Sequence, residues 1–153
     1  MSYEARLKAL GIELPEAPKA GGNYISAKRA GSLCYLAGVI SMHREVVITG
    51  TVGGDRSIDE GYAAARECGL TQLAVLRAAL GSIDEVEQVV SVNGYVCAAR
   101  GFADAPKVIN GFSDLMMDVF GDAGKHVRAA VGVVALPRNA MVEVQMVVVV
   151  KAS

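Results

Sequence analysis

The sequence has no tryptophan, two histidines, three cysteines and four prolines, and no apolar run long enough to span a bilayer. Each shortage removes a class of protein. Cys34, Cys68 and Cys97 are odd in number and widely spaced, which excludes a disulfide framework and fits reduced, buried thiols in a cytoplasmic protein. His43 and His126 share no metal-ligand spacing with a cysteine or with each other, so no metal site is expected. The opening residues MSYEARLKALG lack the apolar core and small-residue cleavage site of a secretory signal. Charge of one sign is also missing. Lys and Arg total 15 against 16 Asp and Glu, a net charge of −1 that would draw the chain neither to nucleic acid nor to an anionic membrane. Gly50 to Asp55 matches neither a P-loop nor a dinucleotide fingerprint, so it reads as a strand end leading into a helix, and no cofactor is implied.

What is present is apolar: 52% of the 153 residues are hydrophobic and 20% charged. That suffices for one domain with its own core, with an excess suited to contact with another subunit. Tyr3 to Leu10 predicts a short helix stopped by Gly11, and Pro15 to Gly22, with two prolines and two glycines, reads as an arm. Leu33–Ile40 and Glu45–Thr51 are β-rich runs. Ser57 with Glu60 forms a capping box for a helix over about 58–80, with Gly81 as its left-handed stop. Val86–Ala99 is a strand. Asp104, Ala105 and Pro106 start a second helix, whose apolar face of Val108, Ile109, Phe112, Leu115, Met116 and Val119 ends at Gly121. Lys125–Ala135 and Met141–Lys151 are strands expected to form a hairpin. The order is β-β-α-β-α-β-β, with room for one further short strand near Asn23 to Lys28, and two helices can cover only one face of such a sheet. The last strand argues that both faces need cover. Val142, Val144, Met146, Val148 and Val150 share one face, while Val147 and Val149 join Glu143 and Gln145 on the other. Packing of the second face against copies of itself satisfies this pattern.

Two residues stand out chemically. Arg128 lies early in a strand whose same-face neighbours Ala130, Gly132 and Val134 are mostly small, leaving room for a ligand carboxylate held by a bidentate guanidinium; a surface arginine or structural ion pair fits the spacing as well. Glu143 is a carboxylate in an apolar strand, which demands a partner or water. It can serve as a general base or pair with Arg128 or Arg138. With a hairpin centred near Arg138, Glu143 falls opposite Val133 and about 16 Å from Arg128, so the two would meet only across a subunit interface. Tyr24 places a phenol on the arm, where it can close over a ligand or pack on the domain.

Arg128 and Val131, then Leu136 and Pro137, then Val142, Glu143 and Val144 resemble the R-x-x-V…L-P…V-E-[VI] signature of the Rid/YjgF family. Leu36 to Gly38, Gly53 to Asp55, Gly94 to Val96, Phe102, Asn110 and Phe120 fit its earlier parts. The resemblance implies an α+β, chorismate-mutase-like fold over residues 21–153, preceded by an N-terminal helix and arm at 1–20. It implies a mixed sheet with two helices on one face, assembled as a homotrimeric barrel with clefts between subunits. By position, Arg128 would hold the substrate carboxylate, Glu143 would position the hydrolytic water, Gly38 would offer backbone contacts, and Tyr24 and Ala130 would line the pocket. The implied reaction is hydrolysis of a 2-imino acid or its enamine to a 2-keto acid and ammonia, without metal or cofactor. Ala130 stands where deaminases of the family usually carry cysteine, and Gly132 where many carry glutamate. Non-catalytic binding of a small carboxylate is the first alternative. Endoribonuclease or translation-inhibitor activity is the second.

Overall fold

The capping box read at Ser57 and Glu60 is formed in the computed structural model, which describes residues 1–152: the Ser57 hydroxyl accepts from Glu60 N, and Glu60 Oε1 accepts from Ser57 N. It opens helix α2, Ile58–Leu80, which Gly81 ends at φ 87°. An earlier helix, α1, Tyr3–Ala9, is capped by the Ser2 hydroxyl. The third, α3, Ala105–Phe120, starts with proline in its first turn. Both long helices fall where the sequence places them. They also lie very close together: a Cβ on Gly111 would collide with the Tyr62 carbonyl of α2.

The strands are β1 (Ala27–Ala30), β2 (Leu33–Leu36), β3 (Val39–Ile40), β4 (Met42–His43), β5 (Val46–Val47), β6 (Val86–Cys97), β7 (Val127–Val133) and β8 (Val142–Val150). The main sheet runs β1-β2-β8-β6-β7, with β3 also on β8, and β4-β5 form a separate two-stranded piece. The β6-β7 pair is parallel and joined by α3. Helices α2 and α3 cover one face, so the chain has the expected α+β layout with a mixed sheet.

Three expectations need correction. The strand read as Leu33–Ile40 is broken at Ala37 and Gly38 into β2 and β3. Of Glu45–Thr51 only Val46–Val47 forms a strand, turning back on Met42–His43 through Arg44 and Glu45, both at positive φ. The β7-β8 hairpin does not exist. Residues 134–141 form a long connection whose 3-10 turn holds Arg138 at φ 56° and Asn139 at φ 58°. The helical crossover places β7 beside β6, and β8 takes the slot between β6 and β2.

The alternation read along the last strand is observed. Val142, Val144, Met146, Val148 and Val150 are buried beneath the helices, while Glu143, Gln145, Val147 and Val149 are half-buried on the open face. Register sets Tyr35 and Val127 on that face too, and Val131 beside Tyr95, so the uncovered side of the sheet is largely apolar. Helix α1 is fastened to the helical side. Leu7 is buried in the common core, and the Glu4 carboxylate accepts from Arg77 Nη2 at 2.6 Å, Ile83 N at 3.1 Å and the Ser82 hydroxyl at 3.3 Å. Among the described residues, no helix is long and apolar enough to cross a membrane.

Candidate functional site

The break between β2 and β3 makes the site. At Ala37 the strand leaves the β8 ladder, and two carbonyls, Ala37 O and Val144 O, would lie unpaired inside the protein. Gln72 of α2 answers both with its Nε2, at 2.9 and 3.1 Å. Gln72 is fully buried, and its Oε1 has no partner among the described residues. One turn earlier the Cys68 thiol lies 3.6 Å from Val39 O and 3.7 Å from Val142 O. Burial pushes that thiol far above its ordinary range, which leaves it inert, as its reading as a core residue implies.

Gly38 sits at the corner of the break, where a Cβ would stand 2.7 Å from Glu143 Oε2. Only a glycine lets the carboxylate lie against the backbone in this way. The Glu143 carboxylate makes no ion pair and accepts no protein hydrogen bond among the described residues, so the pairings with Arg128 and Arg138 weighed from sequence do not form within the chain. Desolvation alone raises its pKa above the usual carboxylate value. Gly38, Glu143 and Gln145 face a cavity of about 840 Å³ whose wall also includes Tyr24, Thr71 and Arg138. The Tyr24 hydroxyl accepts from Gly21 N at 3.0 Å, holding the arm in a tight loop at the mouth, and the side chain is 52% exposed.

Arg128 and Ala130 lie elsewhere. Arg128 pairs with Val92, which pairs with buried Met146, so its side chain is on the helical face of the sheet, whereas Glu143 pairs with Tyr95 on the open face. Three residue steps and two strand spacings put their Cα atoms about 14 Å apart. Ala130 pairs with Gly94, and the space over Gly94 is filled by Ile109 of α3. Within the chain, the small residues beside Arg128 therefore make room for a helix.

The guanidinium is held on α3. Nη1 donates to Asn110 Oδ1 at 2.8 Å and to the Ser113 hydroxyl at 3.1 Å, and Nη2 donates to Pro106 O at 3.3 Å. Of five N–H donors, three are engaged, leaving the Nε–H and one Nη2–H. An Nε–H with an Nη2–H on its side can grip a carboxylate by two parallel bonds. Behind Ser113 stands His126, with Nε2 2.9 Å from the hydroxyl and Nδ1 2.7 Å from Gly124 O.

Of the residues that sequence reasoning assigned to the site, Tyr24, Gly38 and Glu143 line one cavity, while Arg128 and Ala130 lie apart from it. Sequence reasoning missed Gln72, Ser113 and His126 as supporting groups. A visible signal for Gln72 was a polar amide among the apolar residues of α2, four positions after Cys68 and next to Leu73.

An α+β sheet with one helical face, an apolar open face and a cleft where a strand breaks between β2 and β3 defines the class: chorismate-mutase-like proteins. The chain belongs to the YjgF/chorismate mutase-like family of candidate endoribonucleases, whose model matches residues 4–150. That match takes in most of the N-terminal helix and arm that the sequence reading set apart. The chain is 40% identical to Protein TCP17 of Trypanosoma cruzi, over 94% of this chain and 91% of that protein. It is 31% identical to a 2-iminobutanoate/2-iminopropanoate deaminase of Dermatophagoides farinae, over 92% of this chain and 95% of the relative. Among solved structures, the Agrobacterium tumefaciens protein Atu1372, of unknown function, superposes with a TM-score of 0.89 at 37% identity, covering 99% of this chain and 93% of that one.

Proposed function

We propose that the protein binds small 2-imino acids in clefts between the subunits of a cytoplasmic homotrimer and hydrolyses them to 2-keto acids and ammonia. The observation that carries this reading is the lone Glu143 carboxylate: buried enough to raise its pKa, unpaired, and aimed into a cavity that Gly38 keeps open. A desolvated carboxylate without a structural partner is costly to keep, and such groups gather at working sites.

In the proposed assembly, the open faces of three sheets pack together, and the edge strand β7 of one subunit lies along the cleft of the next. The two free donors of Arg128 then take the substrate carboxylate, and Glu143 of the neighbouring copy faces the imine carbon through a water. As the water oxygen bonds to the protonated imine carbon, Glu143 accepts its proton and the C=N π pair moves to nitrogen. The carboxylic acid returns that proton to the amine. Collapse of the carbinolamine breaks the C–N bond as Glu143 takes the hydroxyl proton, which leaves the keto group, and the released ammonia carries that proton away as ammonium. Tyr24 lines the mouth and Gly38 offers backbone contact. The similarity to an iminobutanoate/iminopropanoate deaminase supports small aliphatic 2-imino acids as the substrate class.

One observation favours a second reading, binding without turnover. Ala130 and Gly132 bring no functional group to the strand that carries Arg128. Ribonuclease chemistry has less support, because His43 Nδ1 lies 3.1 Å from Glu67 Oε1 and His126 is committed to Gly124 and Ser113, on separate elements.

The deciding experiment is ammonia release from imines generated freshly by an amino-acid oxidase. Wild-type protein should exceed the background rate and Arg128→Ala should return to it. Equal rates for both would sink the enzyme reading, and keto-acid binding by calorimetry without turnover would establish the second.

A further inference from the structure

The structure assigns a role to two residues that touch no part of the cleft: we infer that Ser113 and His126 are positioning residues for the Arg128 guanidinium, and that a neutral His126 ring is required for carboxylate binding. This rests on the reading of Arg128 as the carboxylate anchor.

The proton positions follow from the partners. Gly124 O is a carbonyl and can only accept, so His126 Nδ1, 2.7 Å away, carries a hydrogen. In the neutral ring Nε2 is then an acceptor, and it takes the Ser113 hydroxyl proton across 2.9 Å. That turns the Ser113 lone pairs toward Arg128, whose Nη1–H donates across 3.1 Å. Every donor in the chain Arg128, Ser113, His126, Gly124 has one acceptor, and the direction is the same throughout. Ser113 is 5% exposed, so its orientation is set by protein rather than solvent. With Asn110 Oδ1 taking the other Nη1–H, the guanidinium plane is fixed and the Nε–H and remaining Nη2–H keep one direction.

A proton on Nε2 reverses the middle of this chain. The ring would then donate to the Ser113 oxygen, the hydroxyl hydrogen would have to leave that line, and two cations would converge on one oxygen. Arg128 would lose part of its support. The surroundings favour the neutral ring: burial, first, and the nearby Arg128 charge push the His126 pKa down, against the Gly124 carbonyl, which raises it. Arg128 on its own strand is the charged group acting on the ring; Ser113 from α3 and Gly124 from the preceding turn are neutral. Lys125 and Asp122 pair with each other in solvent at 3.2 Å.

The test is calorimetric titration of the protein with pyruvate between about pH 4 and pH 8, where pyruvate stays ionised and the range extends low enough for a histidine whose pKa is pushed down. Wild type should bind about tenfold more weakly at the acid end, because two cations on the Ser113 oxygen repel and the guanidinium is displaced. His126→Gln keeps an acceptor for the Ser113 hydroxyl that does not titrate, so it should lose the histidine-linked part of the decline. It also retains Glu143, which titrates in the same cleft, so the difference between the two profiles isolates His126. Ser113→Ala should bind about tenfold more weakly at the alkaline end, and Ser113→Thr should recover most of that loss. If wild type and Arg128→Ala bind alike, the anchor reading fails and the positioning role with it. If Arg128→Ala alone is weak while Ser113→Ala and His126→Gln follow the wild-type profile, the anchor stands and the positioning role is overturned.

Discussion

Arg128 and Glu143 face opposite sides of one sheet, separated by strand β6, and no rotamer of either can bring them to the same small ligand. Each nevertheless has capacity left over: two guanidinium donors on one, a whole carboxylate on the other. Edge strand β7 carries the first, and the open apolar face carries the second. A second copy of the chain is the economical way to join them.

Gly38 should be the least tolerant small residue of the cleft. In Gly38→Ala the new methyl would stand against Glu143 Oε2, and the end of that side chain must swing away. The fold should survive, as seen in an unchanged circular dichroism spectrum. Deaminase kcat/KM should fall by about 10²-fold, the usual cost of misplacing a reacting group by an ångström.

Glu143→Gln should abolish turnover and stabilise the protein. Burial raises the folded-state pKa above the unfolded carboxylate value of 4.5, so the folded protein holds its proton more tightly and wild-type stability falls as pH rises through that window. The variant has no such loss. Its melting temperature should exceed that of wild type at neutral pH, with the gap closing below pH 4.5, as thermal melts across pH would show.

Helix α1 carries the opposite linkage. Hydrogen bonds from Arg77, assisted by Ile83 N and Ser82, hold the Glu4 carboxyl below its ordinary value in spite of some desolvation. Its contribution is therefore present above 4.5 and lost as pH falls through the lowered folded-state value. Glu4→Ala should cost about 1 kcal/mol in urea unfolding at neutral pH, because the pair is partly solvent-screened. Little difference should remain in acid.

The elements with strong local signals were legible. Ser57 and Glu60 fixed where α2 starts, Gly81 where it stops, and Pro106 and Gly121 bounded α3, because caps and stops are chemical events within a few residues. The alternation of β8, one face buried and the other half-buried, was also legible. Strand pairing was not. Nothing near Arg138 announces that β7 leaves β8 for β6, a choice made by the α3 crossover and by the whole sheet. The break at Gly38 was hidden in an unbroken apolar run, since the residue that repairs it, Gln72, comes from a helix more than thirty residues away. For the site, motif resemblance pointed to Arg128 and Glu143, and the strand-distance argument set them apart within one chain, as the structure does, but from a hairpin that does not form. Ser113 and His126 were out of reach because their roles exist only once α3 lies across β7.

The central claim, that each site takes Arg128 from one copy and Glu143 from another, can be tested by mixing two inactive proteins. Arg128→Ala and Glu143→Gln chains, coexpressed with different tags and purified as mixed oligomers, should regain activity although neither does alone. In a closed ring of three, every mixed trimer has one site that holds both native residues, so the purified mixed oligomers should show about one third of wild-type ammonia release. Activity no greater than the sum of the two separate variants would contradict the account.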